Sequence, residues 1–136
     1  MRRANSDDEP AVYELAADMA ITFTVERAAF RTSFRNLITA DNAGVLVVDI
    51  DGQVGGYLLG FTHLSFFANG PVAWVEEIAV DERLRRQHLG SLLMAEFERQ
   101  ARDAGAHVVA LATTRAGSFY EAIGYDPRAT YFRKIL

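Results

Sequence analysis

Apolar residues along this chain change their period twice. Val12, Leu15, Ala16 and Met19 stand at helical spacing, as do Phe30, Phe34, Leu37 and Ile38, so the pattern predicts one helix running to about Ala20 and a second over roughly Val25–Thr39. From Gly44 the apolar positions become nearly continuous. Gly44–Ile50, Val54–Thr62 and Val72–Val80 read as strands, and the turns Asp51-Gly52 and Ala68–Pro71 make them sequential and antiparallel. The helical period returns over Leu89–Ala104, with Leu89, Leu92, Leu93, Phe97 and Ala101 on one stripe and Gly105 as the stop. Val108–Thr113 then reads as a buried strand, Ser118–Ile123 as a short helix ended by Gly124, and Tyr131–Leu136 as a final strand. Ahead of all this, Arg2–Asn5 suits a short first strand, and Ser6 suits a helix cap with Glu9 reaching back to it.

The order is therefore strand, two helices, three strands, helix, strand, helix, strand. At 136 residues, with no internal repeat or linker, residues 1–136 are expected to form one domain. Half of the residues are hydrophobic and 24% are charged, as in an ordinary globular protein. No apolar run approaches the roughly 20 residues of a membrane span. The first ten residues turn acidic where a signal peptide is apolar, so a cytoplasmic location is expected. The absence of cysteine excludes disulfides, thiolate metal sites and a cysteine nucleophile. His63, His88 and His107 are far apart in sequence, and no metal is expected. A net charge of −4 disfavours nucleic acid and suits a cationic small molecule or a basic peptide.

Candidate chemistry concentrates between Ile78 and Phe97, where an apolar strand passes through the basic turn Arg85–Ser91 into an amphipathic helix. The first N–H groups of a helix have no intrahelical partner and carry the positive end of the macrodipole, so such a turn favours an anion. The segment resembles the acyl-CoA-binding motif of the GNAT N-acetyltransferase superfamily, Gln/Arg-x-x-Gly-x-Gly/Ala. Arg85 fills its first position and Gly90 its last, while His88 stands where the family usually has glycine. Phe119–Tyr125 is similar to the family's FYExxGF/Y segment.

That resemblance covers nearly the whole chain and implies an α/β fold. Its mixed, mostly antiparallel sheet would have about six or seven strands, with splayed central strands and about four flanking helices. It implies acetyl-CoA as co-substrate, with the pantetheine arm pairing to Ile78, Ala79 and Val80. The pyrophosphate would lie on the turn formed by Arg85, Arg86, Gln87, His88, Leu89, Gly90 and Ser91. A right-handed backbone at residue 88 would accept any side chain, so the cradle is expected to survive the histidine. Tyr120 matches the tyrosine that protonates the departing thiolate, and Thr113 lies where many relatives carry a cofactor-contacting asparagine.

Acetyl transfer to an amine also needs a proton acceptor, because an alkyl ammonium is almost wholly protonated at neutral pH. Glu76 and Glu77 are the candidates. Strict alternation puts Glu76 on one face with Trp74 and Ile78, and Glu77 on the other with Val75 and Ala79. In many relatives the acceptor-facing residue is four before the strand's closing Val80, which favours Glu76; a bulge would disturb that parity. Phe23 and Trp74 are candidates for lining the acceptor site. The expected activity is acetyl-CoA-dependent N-acetylation of a primary amine by direct attack in a ternary complex. The alternatives are a non-catalytic acyl-CoA-binding sensor or scaffold, and a protein N-terminal or lysine acetyltransferase. An exposed C-terminal strand could also pair two copies into a homodimer.

Overall fold

Asn5, one residue earlier than expected, starts the first helical segment. Its side chain accepts the Asp7 N–H at 2.9 Å, while Asp8 Oδ2 accepts the Asn5 N–H at 2.8 Å. With Asn5 as the cap, the residue three positions on is Asp8, which fills the role that the sequence assigned to Glu9. Arg2 then grips Asp8 through two hydrogen bonds of 2.7 and 2.9 Å, and also reaches Asp49 at 3.0 Å. The N-terminal segment is thereby tied to the sheet.

The computed structural model describes all 136 residues. Its elements are β1 (Arg2–Arg3), α1 (Glu9–Met19), α2 (Arg27–Leu37), β2 (Ala43–Ile50), β3 (Gln53–Ser65), β4 (Gly70–Val80), α3 (Leu89–Asp103), β5 (Val109–Leu111) and α4 (Gly117–Ala122). Short 3-10 turns precede α1 at Ser6–Asp8 and follow β4 at Glu82–Leu84. The five strands form one sheet in the order β1-β2-β3-β4-β5, antiparallel except for the parallel pair β4–β5. No helix is long and apolar enough to cross a membrane.

Alternation along the strands builds two cores. On one face Leu46, Val48, Leu58, Ala73 and Val75 pack against Leu93, Met94 and Phe97 of α3 and Tyr120 of α4. On the other, Val45, Val47 and Tyr57 pack against Val12, Leu15 and Ala16 of α1 and Phe34 of α2. Gly60 of β3 lies flat beneath the Phe97 ring, which leaves no room for a Cβ. The α3 stripe differs from expectation at Leu92, which is 51% exposed, while Met94 is fully buried in its place.

The sheet has five strands instead of six or seven. Tyr131–Leu136 forms no strand and stays exposed. A strand exists only through ladder bonds to a neighbour, and β5 is three residues long, so the segment finds little edge to join and leaves its backbone to water.

Two irregularities in β4 shape the site. Its pairing with β5 ends at Val75–Leu111, yet β4 runs on to Val80, so its β5-facing edge is unpaired from Glu76 onward. In the β3 ladder, Leu59 opposes Glu77 and Gly60 opposes Val75, which leaves Glu76 as the extra residue of a bulge. The bulge inverts the alternation beyond it. Ile78 and Val80 consequently join Val75 on the α3 face, while Ala79 packs on the α1–α2 face. The expected sharing of a face by Glu76 with Ile78, and by Glu77 with Val75, does not hold for that reason.

Candidate active site

The unpaired end of β4 opens into a groove of about 1240 Å³, bounded by α1, the 3-10 turn after β4, the start of α3 and the start of α4. Ile78, Ala79, Val80, Arg85, Arg86, His88, Leu89, Gly90, Ser91 and Tyr120 all line it. Residues singled out on three separate stretches of sequence thus meet in one cleft. Gln87 and Thr113 do not line it. Thr113 Oγ1 accepts the Ala116 N–H at 3.0 Å, and so shapes the turn into α4.

At the start of α3 the first helical bond runs from Leu92 N–H to the His88 carbonyl at 3.1 Å. The N–H groups of Leu89, Gly90 and Ser91 precede it, no side chain caps this end, and the first turn carries no acid. An uncapped, positively polarised helix end therefore faces the groove. Asp81 spends its charge on Arg83, whose guanidinium and backbone N–H hold its carboxyl down to about 2. Arg85 and Arg86 are exposed and form no ion pair, which leaves two guanidinium groups beside the helix end.

His88 does not have the right-handed backbone that would suit any residue. Its φ is 60° and ψ 22°, and Arg86 also has a positive φ of 78°. The turn must reverse sharply between β4 and α3, and it does so through left-handed positions, where glycine is unstrained and histidine is tolerated at a cost. A Cβ on Gly90 would stand 3.3 Å from Phe119 Cζ, a tight contact that the Phe119 ring would have to relieve by a few tenths of an ångström.

Tyr120 is 7% exposed on α4, between the rings of Phe119 at 5.0 Å and Tyr125 at 5.9 Å. Burial raises its hydroxyl above the ordinary phenol range. The Tyr57 and Tyr125 hydroxyls donate to Glu77 and Glu98, but the Tyr120 hydroxyl has no partner within the chain. It is a protonated donor with its hydrogen bond still to be made.

The two glutamates are placed differently by the bulge. Glu76 is exposed and accepts a bond from Trp74 Nε1 at 3.0 Å. Glu77 is half-buried and accepts the Tyr57 hydroxyl at 3.0 Å. Burial raises the Glu77 carboxyl above the usual range, the Tyr57 bond opposes this, and the Glu76 charge adds to the rise. Tyr57 itself is pushed far up by burial and by the facing carboxylate, so it stays a donor.

Glu77 also lines a second cavity of about 360 Å³ between α2 and the sheet, with Val12, Phe30, Phe34, Leu37, Val45, Tyr57 and Leu59 among its walls. Glu77 belongs to this cavity, and the next two residues of β4 belong to the groove. Phe23 is 65% exposed, and neither Phe23 nor Trp74 lines either space. Aromatic content alone did not separate them from Phe30, Phe34 and Tyr57. The available signal was the register: Tyr57 opposes Ala79, two residues from Glu77 and on its face.

Residues 10–125 match the acetyltransferase (GNAT) family. The chain is 28% identical over 142 aligned positions to the aminoalkylphosphonate N-acetyltransferase of Salmonella typhimurium, covering 100% of this chain and 90% of that one. Glucosamine-6-phosphate N-acetyltransferase from Arabidopsis thaliana superposes with a TM-score of 0.86 at 21% identity, over 98% of this chain and 95% of the other. The aminoglycoside acetyltransferase AAC(6')-Iy, solved with a coenzyme A bisubstrate analogue, superposes with a TM-score of 0.81 at 18% identity, over 99% and 97%.

Proposed function

The chain belongs to the GNAT acetyltransferase family and is an N-acetyltransferase, and from that premise we propose that it moves the acetyl group of acetyl-CoA directly onto a primary amine, with Glu77 as proton acceptor and Tyr120 as proton donor. The observation that carries this reading is that consecutive residues of β4 line the two spaces. A half-buried carboxylate stands in one, and the next residues of the same strand line the other.

The groove suits acetyl-CoA by its chemistry. The free edge of β4 offers unpaired amide and carbonyl groups to a pantetheine arm. The uncapped start of α3, with Arg85 and Arg86, offers N–H groups and positive charge to a pyrophosphate. A structural relative solved with a coenzyme A analogue supports the same assignment.

In the reaction the amine nitrogen forms a bond to the carbonyl carbon and the carbon–sulfur bond breaks. The amine loses protons, which Glu77 draws off directly or through water, and the departing thiolate gains one from Tyr120. Glu77 fits this task better than the exposed Glu76, because its raised affinity for a proton improves it as a base while Tyr57 keeps it oriented. Such proton transfers are commonly worth about 10²–10⁴ in rate.

Calorimetric titration with acetyl-CoA, followed by coenzyme A release with a panel of primary amines, tests the proposal. Binding together with amine-dependent release is expected. Binding without release for any amine would instead support an acyl-CoA sensor, and absence of binding would contradict both.

A further inference from the structure

The cavity beside Glu77 has a chemistry of its own. Its volume is about 360 Å³. Apart from Thr24, Ser33 and the Tyr57 hydroxyl, its neutral walls are hydrocarbon and aromatic. The Phe30 and Phe34 rings stack there at 5.7 Å with 24° between planes, presenting a flat apolar wall.

Its charges have one sign. Glu26 and Glu77 are the only ionisable acids on the lining, and no arginine, lysine or histidine joins them. Of the three arginines of α2, Arg35 makes no ion pair but does not line the cavity, and the other two are engaged elsewhere. Arg27 Nη2 and Arg31 Nε lie 3.4 and 3.2 Å from Glu9 Oε1, and the Arg27 guanidinium sits 4.5 Å above the Tyr13 ring.

We infer that the acceptor is a compact apolar primary amine, an alkylamine or arylalkylamine with one positive charge and no anionic group. The inference rests on the assignment of Glu77 as proton acceptor and deepens it. An ammonium entering the cavity meets a carboxylate and aromatic faces that favour a cation, and its hydrocarbon body meets Phe30 and Phe34. A phosphonate or carboxylate on the same molecule would lose its hydration with no cation to replace it and two carboxylates to repel it. The acceptor named for the Salmonella relative is an aminoalkylphosphonate, and this cavity is unsuited to that class.

Initial rates of coenzyme A release should be compared for 2-phenylethylamine, hexylamine, ethanolamine and 2-aminoethylphosphonate at fixed acetyl-CoA. We expect kcat/KM for 2-phenylethylamine to exceed that for 2-aminoethylphosphonate by at least about a hundredfold, since each unpaired buried polar group typically costs a factor of ten or more. Ala29 is exposed at the cavity mouth, so Ala29→Trp should fold normally, raise KM for 2-phenylethylamine at least about tenfold, and leave the acetyl-CoA dissociation constant unchanged. Equal or better use of the aminophosphonate overturns the inference while leaving the transferase assignment intact. So does an unchanged KM in Ala29→Trp. Release with no amine at all, despite acetyl-CoA binding, overturns the transferase assignment and this inference with it.

Discussion

The Tyr57 hydroxyl donates to Glu77 Oε2 at 3.0 Å, from a ring that is 1% exposed on the adjacent strand. A fully buried phenol thus holds a half-buried carboxylate in the wall of the cavity, one residue before β4 begins to line the groove. The bond exists because the bulge at Glu76 turns Glu77 toward the face that Tyr57 occupies.

Removing that bond should move a pH profile in a calculable direction. The Tyr57 bond lowers the Glu77 pKa while burial raises it, so Tyr57→Phe leaves the rise unopposed. A base acts when deprotonated, so the acidic limb of kcat/KM should shift to higher pH. An unmoved limb would separate Tyr57 from the titrating group.

Stability should respond with the opposite sign from activity. Because the folded-state pKa of Glu77 is raised, its contribution to stability is present below the unfolded value and is lost as pH rises through the folded value. Above the folded value the ionised Glu77 therefore works against folding. The Tm of Glu77→Gln relative to the wild type, measured by calorimetry, is expected to improve as pH rises, even as the variant loses activity.

Tyr120→Phe deletes a hydroxyl that no group in the chain accepts from, so stability should change by less than about 0.5 kcal/mol. Turnover should fall by about 10²–10⁴ and acetyl-CoA binding should persist. Unchanged kcat would remove Tyr120 from the proton path.

His88 has a positive φ of 60° in the proposed pyrophosphate cradle. Glycine there should relieve about 1 kcal/mol of backbone strain and raise Tm by a few degrees. It should also tighten acetyl-CoA binding, by taking a bulky side chain away from the phosphates. Weaker binding in His88→Gly would make the imidazole a contact rather than an obstruction.

The elements followed closely from hydrophobic period and turn chemistry, because both act locally. Asp51 and Gly52 both take positive φ, as their hairpin signal implied. What did not follow was set by neighbours. Tyr131–Leu136 has strand-forming residues but pairs with no neighbour, and the adjacent terminal strand β5 is only three residues long. Glu76 stands exposed and Glu77 turns to the opposite face from that expected because a bulge is a property of the ladder and leaves no mark on the strand's own residues. Phe30 and Phe34 were identified as a helical stripe, yet only the packing of α2 over the sheet leaves a cavity beside them. The cradle, by contrast, was visible as a strand-turn-helix motif, except for the backbone sign at His88.

The central claim is that Glu77, and not Glu76, takes the proton from the acceptor amine. The direct measurement is kcat/KM for coenzyme A release across pH in the wild type, Glu76→Gln and Glu77→Gln, with one saturating acetyl-CoA concentration and one amine. Glu77→Gln should lose about 10²–10⁴ in rate and its acidic limb, while Glu76→Gln should keep its plateau rate within a factor of about three, as fits an exposed group bonded only to Trp74, and keep an acidic limb that moves to lower pH because the Glu76 charge no longer raises Glu77. A collapse in Glu76→Gln with Glu77→Gln near wild type would contradict the account.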